Sequence, residues 1–175
     1  MFRATITNPS QKRTIRPLYA QHQATTWGGF LDPTWTKSFD ILPGTVMARK
    51  SAEIFTPFTG AEGQKPFGLS ALFVAPNLGI DEVTATGTNL FTVWVGDSDA
   101  VFEVLAPAFD TTAQWGAPVN GGQVLLTGNS EGKLTPTGAT NANAIAELLD
   151  VETTDKILIR LNRFNLGAVT LGAGS

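Results

Sequence analysis

His22 is the single histidine of this 175-residue chain, and it stands between Gln21 and Gln23 on a stretch without helical or strand periodicity. A general base needs a nucleophile and an orienting partner around a cleft, and a lone imidazole between two amides supplies neither. A solvated or interface role is expected for it. The carboxylates Asp81 and Glu82, Asp97 and Asp99, and Glu152 and Asp155 fall in turn-like settings, where acids ordinarily serve as solvated turn formers. Gly96-Asp97-Ser98-Asp99 offers oxygen ligands for a hard cation, but it lacks the longer Asp-x-Asp-x-Asp-Gly pattern with a closing Glu. The glycine clusters carry no Lys-Ser/Thr after the last glycine, and no serine sits in a Gly-x-Ser-x-Gly elbow. The absence of cysteine excludes disulfides, thiolate chemistry and cysteine-built zinc sites. No catalytic residue, metal or cofactor is therefore expected, and the chain reads as a non-enzyme.

The elements that would carry any site are β-strands. Charged residues make up only 15% of the chain against 42% hydrophobic, a balance suited to a protein that covers much of its outside with partners. Eighteen glycines and ten prolines among abundant threonines favour strands joined by tight turns over long helices. No apolar run approaches the ~20 residues that cross a bilayer, and MFRATITNPSQKRT lacks the apolar centre of a secretory leader. Synthesis in the cytoplasm without export, and no membrane partner, are the expectations.

Charge divides the chain. Residues 1–37 carry net +4, with Arg3, Lys12, Arg13, Arg16 and Lys37 against Asp32, whereas residues 38–175 carry net −7. A basic end on an acidic body suits docking on an acidic protein surface, and the basic residues are too few and too scattered to indicate nucleic acid. Residues 1–40 also show neither a 3.6 nor a 2.0 period, yet they hold Leu18, Tyr19, Trp27, Phe30, Leu31, Trp35 and Phe39. A disordered linker would be poor in aromatics. Two readings fit: an extended arm that orders across another surface, or aromatics folded back on the chain's own core. The arm is the expectation, with residues 1–40 as arm and 41–175 as a β-rich body.

Within the body, Pro43-Gly44 marks a turn before a strand over 45–48. EIFTPF (53–58) and GLSALFVAP (68–76) are extended, with a turn-rich loop between them. NLFTVWVG (89–96) is the clearest strand, and AVFEVLAP (100–107) follows so closely that the two are expected to form a hairpin. FDTTAQWGAPVNGG reads as a loop with room for one helical turn over 112–115. QVLLTG (123–128) and GKLTP (132–136) form another strand pair. One short helix is expected over 143–149 with Asn141 or Asn143 as its N-cap, and KILIRLNRF (156–164) closes the body as a strand. Phe91, Trp94 and Phe102 are expected in the core, since no interleaved basic residues make them a base-stacking platform.

ILPGTVMARKSAEIFTPFTGAEGQKPFGLSALFVA resembles the core of the lambda-type head decoration proteins of tailed phages. The matching positions are Pro43-Gly44, Val46-Met47, Phe55 to Gly60 and Phe67-Gly68-Leu69, and VWVGDSDAVFEV is similar to the family's following strand pair. The resemblance covers about residues 41–105. The arm and residues 106–175 depart from the short domain and look more like enlarged decoration (cement) proteins. The resemblance implies a mainly β, barrel- or tulip-like domain with one short helix behind an extended N-terminal arm. It also implies a homotrimer on the outer surface of the virion head, clamping major capsid protein subunits at three-fold sites. Arg13, Arg16, Leu18, Tyr19, Trp27, Phe30 and Trp35 are then the residues expected to engage the shell, and removing residues 1–37 should leave a folded body that no longer coats it. Two alternatives stand beside this: another β-rich virion part, a tail tube or head–tail connector, or a carbohydrate-binding module using Trp27, Trp35, Trp94 and Trp115.

Overall fold

Strand-forming sequence is distributed along nearly the whole chain, and in the computed structural model it folds into two sheets packed through one shared wall. The structure describes residues 14–35, 38–74, 90–96, 99–119 and 121–161. The strands are β1 (Ile15–Tyr19), β2 (Thr25–Leu31), β3 (Val46–Arg49), β4 (Ile54–Pro57), β5 (Pro66–Ser70), β6 (Leu90–Val95), β7 (Val101–Leu105), β8 (Val124–Gly128), β9 (Leu134–Thr135), β10 (Ala146–Thr153) and β11 (Lys156–Leu161). Strands β2-β4-β3-β5-β6 close into a barrel, and β1-β7-β11-β10-β8-β9 form an open six-stranded sheet.

Alternation along single strands explains how the two parts share a core. On β3, Met47 points into the barrel with Leu31, Phe55, Phe67, Phe91, Val93 and Val95, while Val46 and Ala48 pack on the open sheet. Both faces of β3 are thus buried, which is why Val-Met-Ala is apolar without a gap. The open sheet contributes Phe102, Val104, Leu126, Leu148, Ile157, Ile159 and Leu161 to the second cluster. The alternation expected in KILIRL is present, with Ile157, Ile159 and Leu161 inward and Arg160 exposed. Phe91 and Phe102 are buried as expected, and Trp94 rests on Phe102 from the barrel's outer side, ring centroids 5.4 Å apart.

Two glycines are fixed by geometry. Gly44 follows Pro43 in a turn closed by Thr45 N–H donating to Leu42 O at 2.9 Å, and its φ of +99° is left-handed backbone that favours glycine. On β2, a Cβ at Gly29 would lie 2.4 Å from Glu53 O and 2.6 Å from Phe55 Cε2, so the close approach of β2 to β4 requires glycine.

Several expectations change. The helix over 143–149 is instead the start of β10, whose Ala146, Glu147 and Leu148 pair with β8 on one side and β11 on the other. Ala, Glu and Leu favour helix, but a strand slot between two neighbours, with Ala146 and Leu148 buried, overrides propensity. Asn143 does not cap a helix; its Oδ1 accepts the Thr140 N–H at 2.7 Å. Strands β6 and β7 do not form a hairpin, because β6 pairs with β2 and β5 while β7 pairs with β1 and β11. The short link between them crosses from barrel to open sheet. Around residues 112–115 there is a turn rather than a helical turn, with Ala113 N–H donating to Asp110 O at 3.3 Å. The expected strand 68–76 ends at Ser70, beyond which Val74 makes an isolated bridge to Ile41.

Residues 15–31, read from sequence as irregular, carry two strands of the body. β1 pairs antiparallel with β7 from Ile15↔Val104 to Tyr19↔Val101, and β2 pairs with β6 over six registered positions. What hid them is composition: Pro17 and Gly28-Gly29 interrupt patterns whose antiparallel partners, β7 and β6, are distant in sequence. Residues 1–13 lie outside the described residues.

Candidate interaction surface

The registers of the barrel place one outward row of apolar side chains. Phe30 on β2 is opposite Leu90 on β6 and opposite Ile54 on β4, so the three side chains project from the same face across three adjacent strands. Leu90 is 67% exposed and Phe30 38%, with Ile54 half-buried. The neighbouring positions Gly29, Leu31, Phe55 and Phe91 point inward or are buried, so the row is the outside of a wall whose inside is core. Gly28 stands beside the row with nothing within 4 Å of where a Cβ would lie, leaving that part of the wall flat. Leu90 and Ile54 were not among the residues singled out from sequence. The signal was available in NLFTVWV, whose Leu90, Thr92 and Trp94 alternate with the buried Phe91, Val93 and Val95.

The remaining sequence-selected residues occupy different places. Tyr19, 60% exposed, ends β1 beside the half-buried Leu18. Thr25, the first residue of β2 after the turn that follows Tyr19, is five residue steps from Phe30, a strand length of about 17 Å. The Arg16 guanidinium is committed to the chain itself, with Nε donating to Glu103 Oε1 at 2.7 Å. Glu103 is buried on β7, with Lys156 Nζ 3.8 Å from its other oxygen and 2.6 Å from Glu152. Trp27 stands edge-on to Phe67 at 6.0 Å, and the Arg49 guanidinium lies 5.2 Å from its ring centre. Trp35 packs on Phe39 and against the barrel core. Arg13 lies outside the described residues. The structure therefore brings Phe30 together with Leu90 and Ile54, puts Tyr19 and Leu18 at a separate end, and spends much of Arg16, Trp27 and Trp35 on internal contacts.

The end of β2 is braced beside this row. Asp32 Oδ1 accepts the Thr34 N–H at 2.9 Å and the Thr34 hydroxyl at 2.7 Å, and Oδ2 accepts from Lys50 Nζ at 2.8 Å. Burial pushes the Asp32 carboxyl up, but the Lys50 ammonium and the two Thr34 donors outweigh it and hold the carboxyl below the ordinary aspartate value. Its folded value is thus below its unfolded one. The stabilisation is present above the ordinary aspartate range and lost as pH falls through the folded value. Melting temperatures should fall on acidification from about pH 5 downward, and less steeply in Asp32→Asn. Asp32→Ala, which leaves the Thr34 N–H without its acceptor, should cost about 2 kcal/mol at neutral pH by denaturant titration.

The chemistry considered from sequence finds these positions. His22 is exposed at the centre of the 3-10 turn Gln21–Gln23. Asp81, Glu82, Asp97 and Ser98 lie outside the described residues, and among the described residues no three His, Asp or Glu side chains converge as a metal cluster. Among the described residues no helix is long and apolar enough to cross a membrane. Each of the four tryptophans packs on a phenylalanine of its own chain, Trp115 on Phe109 at 5.2 Å with its Nε1 donating to Asp110 O. Only Trp27 is substantially exposed, so the four do not make a common sugar platform.

What the arrangement offers is adhesion: an apolar row on a rigid wall and ion pairs held within the chain. No curated protein and no solved structure matches the chain. The profile of the phage cement protein family matches it over residues 1–175. A cysteine-free, all-β body with an outward apolar row and a family match over its whole length has one consistent assignment: the chain belongs to the phage cement protein family.

Proposed function

We propose that this protein coats the outer surface of the phage head and clamps neighbouring major capsid protein subunits at three-fold positions, acting as a homotrimer. The observation that carries this reading is the family match across the entire chain, and phage cement proteins are structural parts of the capsid. Association through a rigid apolar row needs no catalytic group, and the row Leu90–Phe30–Ile54 supplies the anchor that such contacts require. Leu18 and the exposed Tyr19 on β1 form a second contact area, on the strand that Arg16 ties to Glu103. Three copies on a three-fold axis present three such sets at once, so modest single contacts add by avidity.

The test uses heads stripped of this protein and re-coated with purified chain. Phe30→Asp is expected to keep the wild-type melting temperature within a few degrees, because Phe30 lies on the outer wall, yet to weaken head coating at least about tenfold, since an unpaired carboxylate would be desolvated in the contact. Wild-type coating by a folded Phe30→Asp/Leu90→Asp variant would remove the row from the contact. Light scattering should give three times the monomer mass. Copy number per virion separates a coat, bound at many equivalent sites, from a connector or tail-tube ring.

A further inference from the structure

The registers of the open sheet set the side chains of its outer face in rows. Arg16 on β1 is opposite Glu103 on β7, Glu103 opposite Leu158 on β11, and Leu158 opposite Asp150 on β10. Two residues further along the strands, about 7 Å away, a second row runs from Tyr19 through Val101, Arg160 and Glu147 to Leu125 on β8. Both rows point away from the core, because the intervening Phe102, Ile159 and Leu148 point into it.

In the middle of the face the charges are closed within the copy. Arg16 and Lys156 hold the two oxygens of the buried Glu103, Lys156 also meets Glu152, and Arg160 pairs with Glu147. Covering these pairs therefore leaves none of their charges alone. The borders differ. Arg16 bonds Glu103 through Nε, and its side chain is 62% exposed. At the other end of its row Asp150 is exposed, since β8 leaves the ladder at Leu148↔Val124. One oxygen of Asp150 accepts the Val151 N–H, and no cation of the described residues pairs with it. The second row ends in the exposed Tyr19 on one side and the half-buried Leu125 on the other.

Each row thus ends in complementary partners, a cation and a carboxylate in the first and two apolar side chains in the second. We propose that this face meets further copies of the chain head to tail around the three-fold axis, Arg16 against Asp150 of the next copy and Tyr19 against its Leu125. Rotation about an axis parallel to the strands keeps row against row, and three such joints close a ring. The inference rests on the trimer reading above; it assigns the β1 contact area to a neighbouring copy and leaves the Leu90–Phe30–Ile54 row to the shell. A second copy is the occupant because both halves of the complementary pattern stand on one surface in matching order. Residues 38–175 carry net −7, so acidic bodies repel in most other approaches, whereas here opposite charges meet.

The chain is free of cysteine, so cross-linking reads the joint directly. In Tyr19→Cys/Leu125→Cys the two thiols of one copy stand four strand spacings apart, about 19 Å, too far for a disulfide. After oxidation, denaturing gels should show covalent dimers and trimers and nothing larger, while Tyr19→Cys or Leu125→Cys alone stays at the mass of one chain. Asp150→Arg sets two guanidinium groups together; it should lower the light-scattering mass about threefold with an unchanged near-ultraviolet circular dichroism spectrum. A wild-type trimer whose double-cysteine form stays uncross-linked, or whose Asp150→Arg variant keeps the trimer mass, would overturn this joint and leave the trimer standing. Cross-linking of equal strength in Tyr19→Cys alone would overturn it as well, since like borders would then be meeting. A wild-type chain of monomer mass would overturn the trimer and the joint together.

Discussion

Removal of residues 1–37 is expected to abolish cooperative unfolding altogether, whereas removal of residues 1–13 is expected to leave the melting temperature almost unchanged. The longer deletion takes away β1 and β2. β2 is one of the five staves of the barrel, hydrogen-bonded to β6 from Thr25↔Val95 to Phe30↔Leu90 and parallel to β4 at Phe30↔Ile54 and Leu31↔Phe55. Without it the barrel has two open edges, and the buried rings of Phe55 and Phe91 face water. Burial of one such side chain contributes about 1.5–3 kcal/mol, and whole domains are stable by only about 5–15 kcal/mol, so losing a central stave exceeds the margin. The loss of β1 removes the buried Ile15 and leaves Glu103 without Arg16. The shorter deletion ends before Thr14, where the ladder with β7 begins. Near-ultraviolet circular dichroism and thermal melts of the two truncations measure the contrast. A cooperative melt from the 38–175 fragment would mean that the body closes without β2.

Phe55→Ala should cost about 3–5 kcal/mol, the range for emptying a large aromatic site in a core that cannot collapse. Phe55 is fully buried at the centre of the barrel, with its ring 5.7 Å from Phe67 and 6.3 Å from Phe91. It also fills the space left by Gly29, against which its Cε2 lies. The surrounding strands form a closed hydrogen-bonded ring, so they cannot move inward to fill the void without breaking pairs. Denaturant titration should show the loss as a lower midpoint with little change in slope. Phe55→Leu should recover more than half of it. A cost below about 1 kcal/mol would show that the barrel interior relaxes, contrary to its closed geometry.

Much of the fold was legible because local chemistry and the final pairing agree. NLFTVWV, KILIRL and the Pro43-Gly44 turn carry alternation or turn residues strong enough to identify β6, β11 and the start of β3 from sequence. The chain's family was legible from the same turns and strands. What could not be read depends on partners distant in sequence. The segment AIAELLDV is locally helical, and only its slot between β8 and β11 makes it a strand. The five residues between β6 and β7 look like a hairpin link, but the two strands belong to different sheets, β6 pairing with β2 and β5 and β7 with β1 and β11. β1 and β2 were hidden by Pro17 and by Gly28-Gly29, of which Gly29 is required by the close approach of β4. The exposed aromatics of residues 18–30 did mark an outward surface, but which of them point outward was set by registers with β6 and β4, and so Leu90 and Ile54 escaped notice.

Pro17 has a consequence for behaviour in a crowd. β1 is the outer strand of the open sheet, and since Thr14 O accepts from Leu105 N, ladder alternation turns the main-chain groups of Ile15 and Pro17 away from β7. A proline there offers no N–H to an approaching strand. At the opposite margin β9 is only two residues long. Neither border can template the growth of a continuous ribbon from one molecule to the next. Copies concentrated side by side on one particle can therefore remain discrete tiles rather than fusing into a fibre.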